Sequence, residues 1–386
     1  MKIAFVLDDS LDKADGVQQY VITLGHYYQQ QGHEVHYLVG QTRRRDIPHV
    51  HSLSKNLQVK FNQNRMSTPL PASKSAIRKL LTNEQFDVLH VQVPYSPLLA
   101  GRVISAAPAT TAIIGTFHIV PYAWQETLAT QILRILLWRT RKRFDMLCSV
   151  SVPAQKFAKR SFGMRSEVIP NAVNVASFHS GRRLRKYDDG KVNIVFLGRL
   201  VERKGCAQLL HALQLLHEDG LLSGLRVLIC GKGPENNKLQ EYVTKHRMGK
   251  SVKFVGFVTE HEKADYLASA DIAVFPSTGG ESFGIVLVEA MAARAGVVLA
   301  GNNSGYRSVL RERPAQLFDP TDTAKFAKVL KAFAFNKPAR SRASKWQETQ
   351  IAQYDVSRVG SQLLRMYERV IAKKQRASDN SKHEPK

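Results

Sequence analysis

Ser277-Thr278-Gly279-Gly280-Glu281-Ser282-Phe283-Gly284-Ile285-Val286-Leu287-Val288-Glu289-Ala290-Met291-Ala292-Ala293 is the stretch whose reading decides the fold. Just upstream, Ile272–Phe275 is a short apolar run that stops at Pro276, the pattern of a buried strand. Gly279 and Gly280 permit a tight loop. Beyond it, Ile285, Leu287, Val288, Met291 and Ala292 recur at helical spacing, and Ser282 is placed to cap that helix. The stretch therefore reads strand, glycine loop, helix. At the helix start the N–H groups of Phe283, Gly284 and Ile285 lack intrahelical acceptors and lie at the positive end of the dipole. That is an anion site. Glu281 in the loop and Glu289 on the helix flank it, with seven residues between them. Carboxylates do not bind phosphate, but they accept hydrogen bonds from sugar hydroxyls. A diphosphate with a sugar at each end would use all three features. A plain glycine turn with two solvated glutamates would explain the loop alone, but the whole string fits a nucleotide sugar better.

The string resembles the signature of the retaining glycosyltransferases of family 4, and within it the likeness is closest to the bacterial phosphatidylinositol mannosyltransferases. The resemblance implies the GT-B fold, two Rossmann-like doubly wound α/β domains facing a central cleft. The rest of the chain alternates in the same way. Lys2–Leu7, Glu34–Val39, Asp87–Val91, Ala112–Thr116, Met146–Ser151 and Glu167–Ala172 read as strands in the first half, and Val192–Leu197, Leu225–Cys230, Val252–Gly256, Ile272–Phe275 and Gly296–Ala300 in the second. Strands alternating with helical patterns predict parallel sheets, with ligands at the strands' carboxyl ends. Residues 1–178 are expected to form the first domain and 192–354 the second. The polar, charge-rich His179–Lys191 reads as the linker between them. An amphipathic helix over 355–371 is expected to cross back to the first domain, as in GT-B enzymes. Lys373–Lys386 is taken to lack the apolar residues a packed element needs and reads as disordered.

Composition bounds the function. The chain has 386 residues, of which 44% are apolar, enough for two or three domains with full cores. Its three cysteines are far apart, which points to a reducing compartment and away from a structural zinc site. Ile3–Leu7 is too short for a signal peptide and no run approaches membrane-spanning length, so a cytoplasmic protein is expected. Against this stands a net charge of +24, from 56 lysines and arginines and 32 acidic residues. Such excess points to a polyanion, either nucleic acid or an anionic membrane surface. No zinc-finger, helix-turn-helix or RNA-binding signature supports nucleic acid. Ala123–Phe144 reads as a helix with an apolar face, clustered Arg134, Arg139, Arg141, Lys142 and Arg143, and terminal Trp124 and Trp138. It is able to pack on its own sheet and still present arginines to lipid at the inner face of the plasma membrane.

Five further segments carry site expectations. Gly198-Arg199-Leu200-Val201-Glu202-Arg203-Lys204-Gly205 follows a strand and resembles the family's Gly-Arg…Arg-Lys-Gly motif, in which Arg199 and Lys204 hold the donor pyrophosphate. Gly16 opens the first predicted helix as a second anion site, although Asp15 stands where the family has another glycine. Thr116-Phe117-His118 matches a motif whose histidine contacts the donor sugar; by itself it is a structural histidine. Phe257 and Val258 lie where the family holds the nucleobase through backbone groups. The region Asp46–Ser75 reads as irregular, with only Asn62 and Asn64 offering acceptor-side polar groups. Gly231-Lys232-Gly233 lacks the third glycine of a dinucleotide fingerprint, which disfavours hydride transfer.

The resemblance implies transfer of a hexose, mannose or glucose, from a GDP- or UDP-sugar to a membrane lipid such as phosphatidylinositol. His118, Arg199, Lys204 and Glu281 are the expected catalytic residues. Gly16, Arg199, Lys204, Phe257, Val258, Glu281, Ser282, Phe283, Gly284, Ile285 and Glu289 are the expected donor contacts, with Glu281 on the sugar and Glu289 on the ribose. No cofactor and no metal are expected, because no Asp-x-Asp motif stands out and the cations take that part. A soluble or polysaccharide acceptor remains open, as does a basic nucleic-acid-binding protein or a non-catalytic scaffold. The last two would leave the carboxylate pair and Arg199 and Lys204 idle.

Overall fold

The computed structural model describes residues 1–12, 15–61, 64–70, 72–119, 133–135 and 137–383. They form two compact units: residues 1–172 with 356–386, and residues 173–355.

The first unit contains β1 (Lys2–Leu7), β2 (Glu34–Val39), β3 (Val50–Ser52), β4 (Asn56–Phe61), β5 (Asn64–Pro69), β6 (Val88–Gln92), β7 (Ala112–Phe117), β8 (Met146–Ser149) and β9 (Glu167–Val168). Seven of these make one parallel sheet in the order β3-β2-β1-β6-β7-β8-β9, and β4 and β5 pair as an antiparallel hairpin. The central strands are near-continuous apolar runs because both faces are covered. Along β1, Ile3, Phe5 and Leu7 enter a core with Tyr28, Val359, Leu363 and Met366, while Ala4 and Val6 enter another with Ile77, Leu81 and Val103. The sequence reading missed β3 and the hairpin, which are short or polar and fall in the stretch taken as irregular. It also drew β9 through Ala172, whereas the ladder stops at Val168 although Ile169 and Ala172 beyond it are buried.

The second unit contains β10 (Val192–Leu197), β11 (Leu225–Cys230), β12 (Val252–Gly256), β13 (Ile272–Phe275), β14 (Val297–Gly301) and β15 (Leu317–Phe318), ordered β12-β11-β10-β13-β14-β15 and parallel throughout. The strand order reverses direction between β10 and β13. A doubly wound sheet opens a crevice at that switch point, beyond the carboxyl ends of the strands. β10 delivers Gly198–Gly205 there and β13 delivers Pro276–Gly284.

Two expectations are corrected, and a third lies mostly outside the described residues. His179–Lys191 is not a linker; it packs into the second unit. Arg183 bonds Asp188 and Asp271, the Leu184 N–H donates to Ser269 Oγ, Asp189 pairs with Arg226, and Tyr187 is buried. Polar composition hid these partners, which are distant in sequence. Lys373–His383 is not disordered but continues the helix Val356–His383, and 384–386 lie outside the described residues. Ala372–Ala377 consists of good helix formers, and extending an anchored helix needs no new nucleus. Lys374 also reaches the Ala109 carbonyl and, at 3.1 Å, Asp145. Finally, of the expected helix Ala123–Phe144 the described residues are 133–135 and 137–144, with helix over Leu133–Ile135 and Trp138–Arg141. Trp124, like Asn62 in the acceptor region, lies outside them.

Candidate functional site

In the second unit the site grows from one close approach. The loop after β10 makes a short 3-10 turn, Glu202–Lys204, and ends at Gly205 with φ 74°. A Cβ on Gly205 would lie 1.9 Å from the Pro276 carbonyl oxygen, so only glycine lets this loop rest on the end of β13. That contact brings Arg203 and Lys204 against Glu281. Glu281 Oε1 accepts from Arg203 Nη1 at 2.8 Å, from Lys204 Nζ at 2.8 Å and from Ser277 Oγ at 2.9 Å. Ser277 Oγ and the Thr278 N–H also approach the Arg203 carbonyl, at 2.9 and 3.0 Å, which locks the two loops together. Burial would raise the Glu281 carboxyl, but Lys204 and Arg203 outweigh it and hold it at about 2. Burial lowers Lys204, with Glu281 opposing the shift. Glu281 is thus a fixed carboxylate with two cations on one oxygen.

The helix that follows β13 runs over Ile285–Ala292 and is capped by Gly284 at φ 107°, not by Ser282. A Cβ at position 284 would meet Tyr306 Cδ1 at 2.6 Å in this left-handed conformation, and the helix begins at Ile285, two residues later than a Ser282 cap would place it. The N–H groups at its first turn are therefore those of Ile285 and Val286, in place of Phe283 and Gly284. The Leu287 N–H already bonds the Gly284 carbonyl. Phe283 is buried against Tyr354, while Ser282 and Ile285 are half-buried.

Glu289 lies on this helix, buried, with Lys263 Nζ at 3.2 and 3.3 Å from its two oxygens. Lys263 also holds Glu260 at 2.8 Å. Burial raises Glu289, with Lys263 opposing it; Lys263 in turn rises because Glu289 and Glu260 overcome its own burial. Arg199 is half-buried in the loop after β10. Phe257 is 61% exposed between β12 and the helix Glu260–Ala268, with Val258 half-buried beside it. The switch-point loops thus bring together Lys204, Glu281 and the helix start, as the motifs imply. The loop after β10 adds Arg203, and the helix Glu260–Ala268 adds Lys263, both of which the sequence reading missed. Arg203 had a signal, since it adjoins Lys204 on one short turn. Lys263 had none, because nothing local points from position 263 to 289.

In the first unit, His118 follows β7 and is buried. Its Nε2 lies 2.7 Å from Gln92 Oε1, and its ring stands edge-on to Tyr20 at 4.9 Å. The Gln92 amide nitrogen donates to the His90 carbonyl, so its oxygen faces His118 and accepts from the Nε2–H tautomer. Burial pulls His118 down to about 3, so the ring is neutral at physiological pH. Beneath it a buried chain continues, from His90 Nε2 to Thr116 Oγ1 at 2.7 Å and from His90 Nδ1 to Tyr367 on the C-terminal helix at 2.6 Å. Gly16 is the exposed first residue of the helix Gly16–Gln30, capped by Asp15 without a side-chain bond. Asp8, at the end of β1, accepts from Ser96 and from the Ala100 N–H at 2.7 Å, and its burial raises it to about 6. It anchors the start of the helix Leu99–Ala106.

Comparison with known proteins adds the following. A family model described as "Glycosyltransferase Family 4" matches residues 14–177, and one described as "Glycosyl transferases group 1" matches residues 182–349. The chain is 32% identical to the phosphatidyl-myo-inositol mannosyltransferase of Mycobacterium leprae (strain TN) over 96% of this chain and 97% of that one. It is 29% identical to the protein of the same name from Propionibacterium freudenreichii, over 95% and 94%. Among solved structures, Anabaena HepE in complex with UDP superposes with a TM-score of 0.74 at 17% identity, over 95% of this chain and all of that one. A glycosyltransferase from Rickettsia africae gives 0.74 at 16%, over 96% and 98%. These likenesses place both units in the GT-B fold.

Proposed function

The chain belongs to the family 4 glycosyltransferases, and from that premise we propose that it moves a hexose, mannose before glucose, from a nucleotide sugar to a phosphatidylinositol-type membrane lipid with retention of configuration. The cluster at the switch point of the second sheet carries the donor half of this reading. The names of the mannosyltransferase relatives support the sugar and the acceptor. As the bond between the anomeric carbon and the leaving diphosphate breaks, negative charge grows on the diphosphate. Arg199, Lys204 and the start of the helix Ile285–Ala292 stabilise it by preorganised electrostatics. Glu281, fixed as a carboxylate, accepts the hydroxyls of the transferred sugar, and Glu289 accepts those of the ribose. Arg203 holds Glu281 in place, so Lys204 is free to turn toward phosphate. The acceptor hydroxyl attacks on the face the diphosphate leaves, and its proton passes to the leaving phosphate oxygen. His118, neutral and oriented by Gln92, is the first unit's candidate to bond a sugar hydroxyl. No divalent ion is needed for this step, because the cations fill that part.

The acceptor half implies work at a lipid surface. No helix among the described residues is long and apolar enough to cross a membrane. Trp138 is 51% exposed, with Arg139 and Lys142 over its ring at 5.3 and 4.9 Å, an aromatic and cationic tip fit for an anionic interface. A panel of GDP- and UDP-hexoses tested with phosphatidylinositol vesicles and with free sugars checks both halves. Transfer to lipid from one nucleotide sugar, persisting in excess chelator, is the expected result. Transfer to soluble sugars alone rejects the lipid reading. No binding of any nucleotide sugar rejects the donor site.

A further inference from the structure

Two segments at the edge of the first sheet carry metal-ligand side chains at alternate positions, which places them on one face of a strand. They are Glu34-Val35-His36 in β2 and His49-Val50-His51 at β3. The parallel register of β2 and β3 sets these faces side by side, with Leu38 opposite His51. Two other rings stack against His36, His49 at 4.6 Å and His51 at 5.1 Å, the latter in a nearly parallel plane. His49 has φ 54°, a left-handed conformation that costs a non-glycine residue and that here holds its ring on the stack. Glu84, at the end of the helix Lys74–Glu84, faces the same cluster.

The hydrogen bonds define which lone pairs are available. Glu34 Oε1 lies 2.8 Å from His36 Nε2 and accepts its proton, so His36 Nδ1 carries the lone pair. His51 Nε2 is 2.9 Å from that Nδ1. One donor atom from each of His36, His51 and Glu84 lies within 4.8 Å of the others. We propose that this cluster is a site for one zinc-like divalent ion, held by His36 Nδ1, His51 Nε2 and the Glu84 carboxylate. The ion replaces the proton between the two rings. Zinc–nitrogen bonds of about 2.0–2.1 Å at tetrahedral angles set ligand nitrogens about 3.4 Å apart, so the rings need to part by about 0.5 Å. Glu34 is then the outer carboxylate that orients a ligating histidine. Two imidazoles and one carboxylate suit zinc, whereas calcium and magnesium take oxygen. Lys2, at 2.6 Å from Glu84 and 3.1 Å from Glu34, neutralises the carboxylates without the ion and must release Glu84 when it binds. The ion would tie β2, β3 and the end of a helix together, far in sequence from the donor motifs and independent of them.

Tag-free full-length protein, stripped with chelator, tests the site by calorimetric titration with zinc chloride and with magnesium chloride. The wild type should take up one equivalent of zinc and no magnesium, with a rise in Tm. His51→Gln and Glu84→Gln, both at partly exposed positions, should lose that uptake while keeping the wild-type circular dichroism. Glu34→Gln should bind 10- to 100-fold more weakly. Failure of the wild type to bind zinc, or uptake by His51→Gln equal to the wild type, overturns the proposal.

Discussion

At the scale of single residues, two buried ion pairs are arranged around two glutamates, and they are tested differently. Lys263 bonds both oxygens of Glu289, and both side chains are about nine-tenths buried. Removing one member leaves an uncompensated charge, which costs about 3–5 kcal/mol. Lys263→Met should therefore destabilise by about that amount in urea unfolding, and adding Glu289→Gln should restore most of it. Equal stability of the single and double variants would show that the pair is not coupled. Lys204 is different, because its expected cost is kinetic. Lys204→Ala should raise the activation free energy by about 2–4 kcal/mol, as when one donor is removed from a charge-stabilising site. Arg203 still holds Glu281, so folding should change little. Full turnover with the fold intact would remove Lys204 from the diphosphate. Arg199 and Arg203 show the limit of motif reading: it names the cations of a loop but not which of them is tied to a carboxylate.

At the scale of elements, the C-terminal helix divides into a packed part and a projecting part. Val359, Leu363, Met366, Tyr367 and Val370 are buried against the first sheet. Met366→Ala should cost about 2–5 kcal/mol, the range for emptying a buried site. Beyond Lys373 the helix is held by the Lys374 contacts with Asp145 and Ala109, and an ion pair at the surface with partly covered side chains contributes about 1 kcal/mol. Truncation after Lys373 should therefore leave the denaturation midpoint almost unchanged. A loss as large as that of Met366→Ala would mean that the distal turns are packed on something more. A second element, Trp138–Arg141, is read by vesicle sedimentation. Arg143 donates to the Ala107 carbonyl, so Arg139, Lys142 and Trp138 are the groups available to lipid. The charge-reduced variant Arg139→Gln/Lys142→Gln should lose binding to anionic vesicles. Equal binding to neutral and anionic vesicles would reject an electrostatic contact.

At the scale of the whole molecule, pH and salt act on the charge distribution. His90 and His118 are both held at about 3 by burial, while the unfolded chain protonates them near 6.5. Below about 6.5 the unfolded state binds more protons, so stability falls as pH falls, by about 1.4 kcal/mol per pH unit for each ring. Asp8, raised to about 6, acts in the opposite sense. Below pH 6 the folded chain takes up a proton there that the unfolded one does not, which offsets one histidine. Stability, read from unfolding midpoints, should therefore fall steadily as the pH drops from about 6.5 to 5, with a net slope of about 1.4 kcal/mol per pH unit, that of one ring. A flat profile would mean that the histidines are not buried neutral. The net charge of +24 predicts that vesicle binding weakens as salt shortens the screening length to about 8 Å at physiological ionic strength.

The sequence by itself determined the two doubly wound sheets and the loops that face their switch points. Val192–Leu197, Ile272–Phe275 and the helix after Gly284 are apolar patterns of fixed period, and period is a local property. Gly205 was legible as punctuation for the same reason, whereas Gly284 was read as part of the first turn and not as the cap it is. The partners were not legible. Lys263 on Glu289, Tyr367 on His90, Asp271 on Arg183 and the facing of His36 and His51 across β2 and β3 join residues far apart or in adjacent strands. Only the tertiary structure decided them, because strand register and the close approach of one loop to another are fixed by packing, not by spacing along the chain.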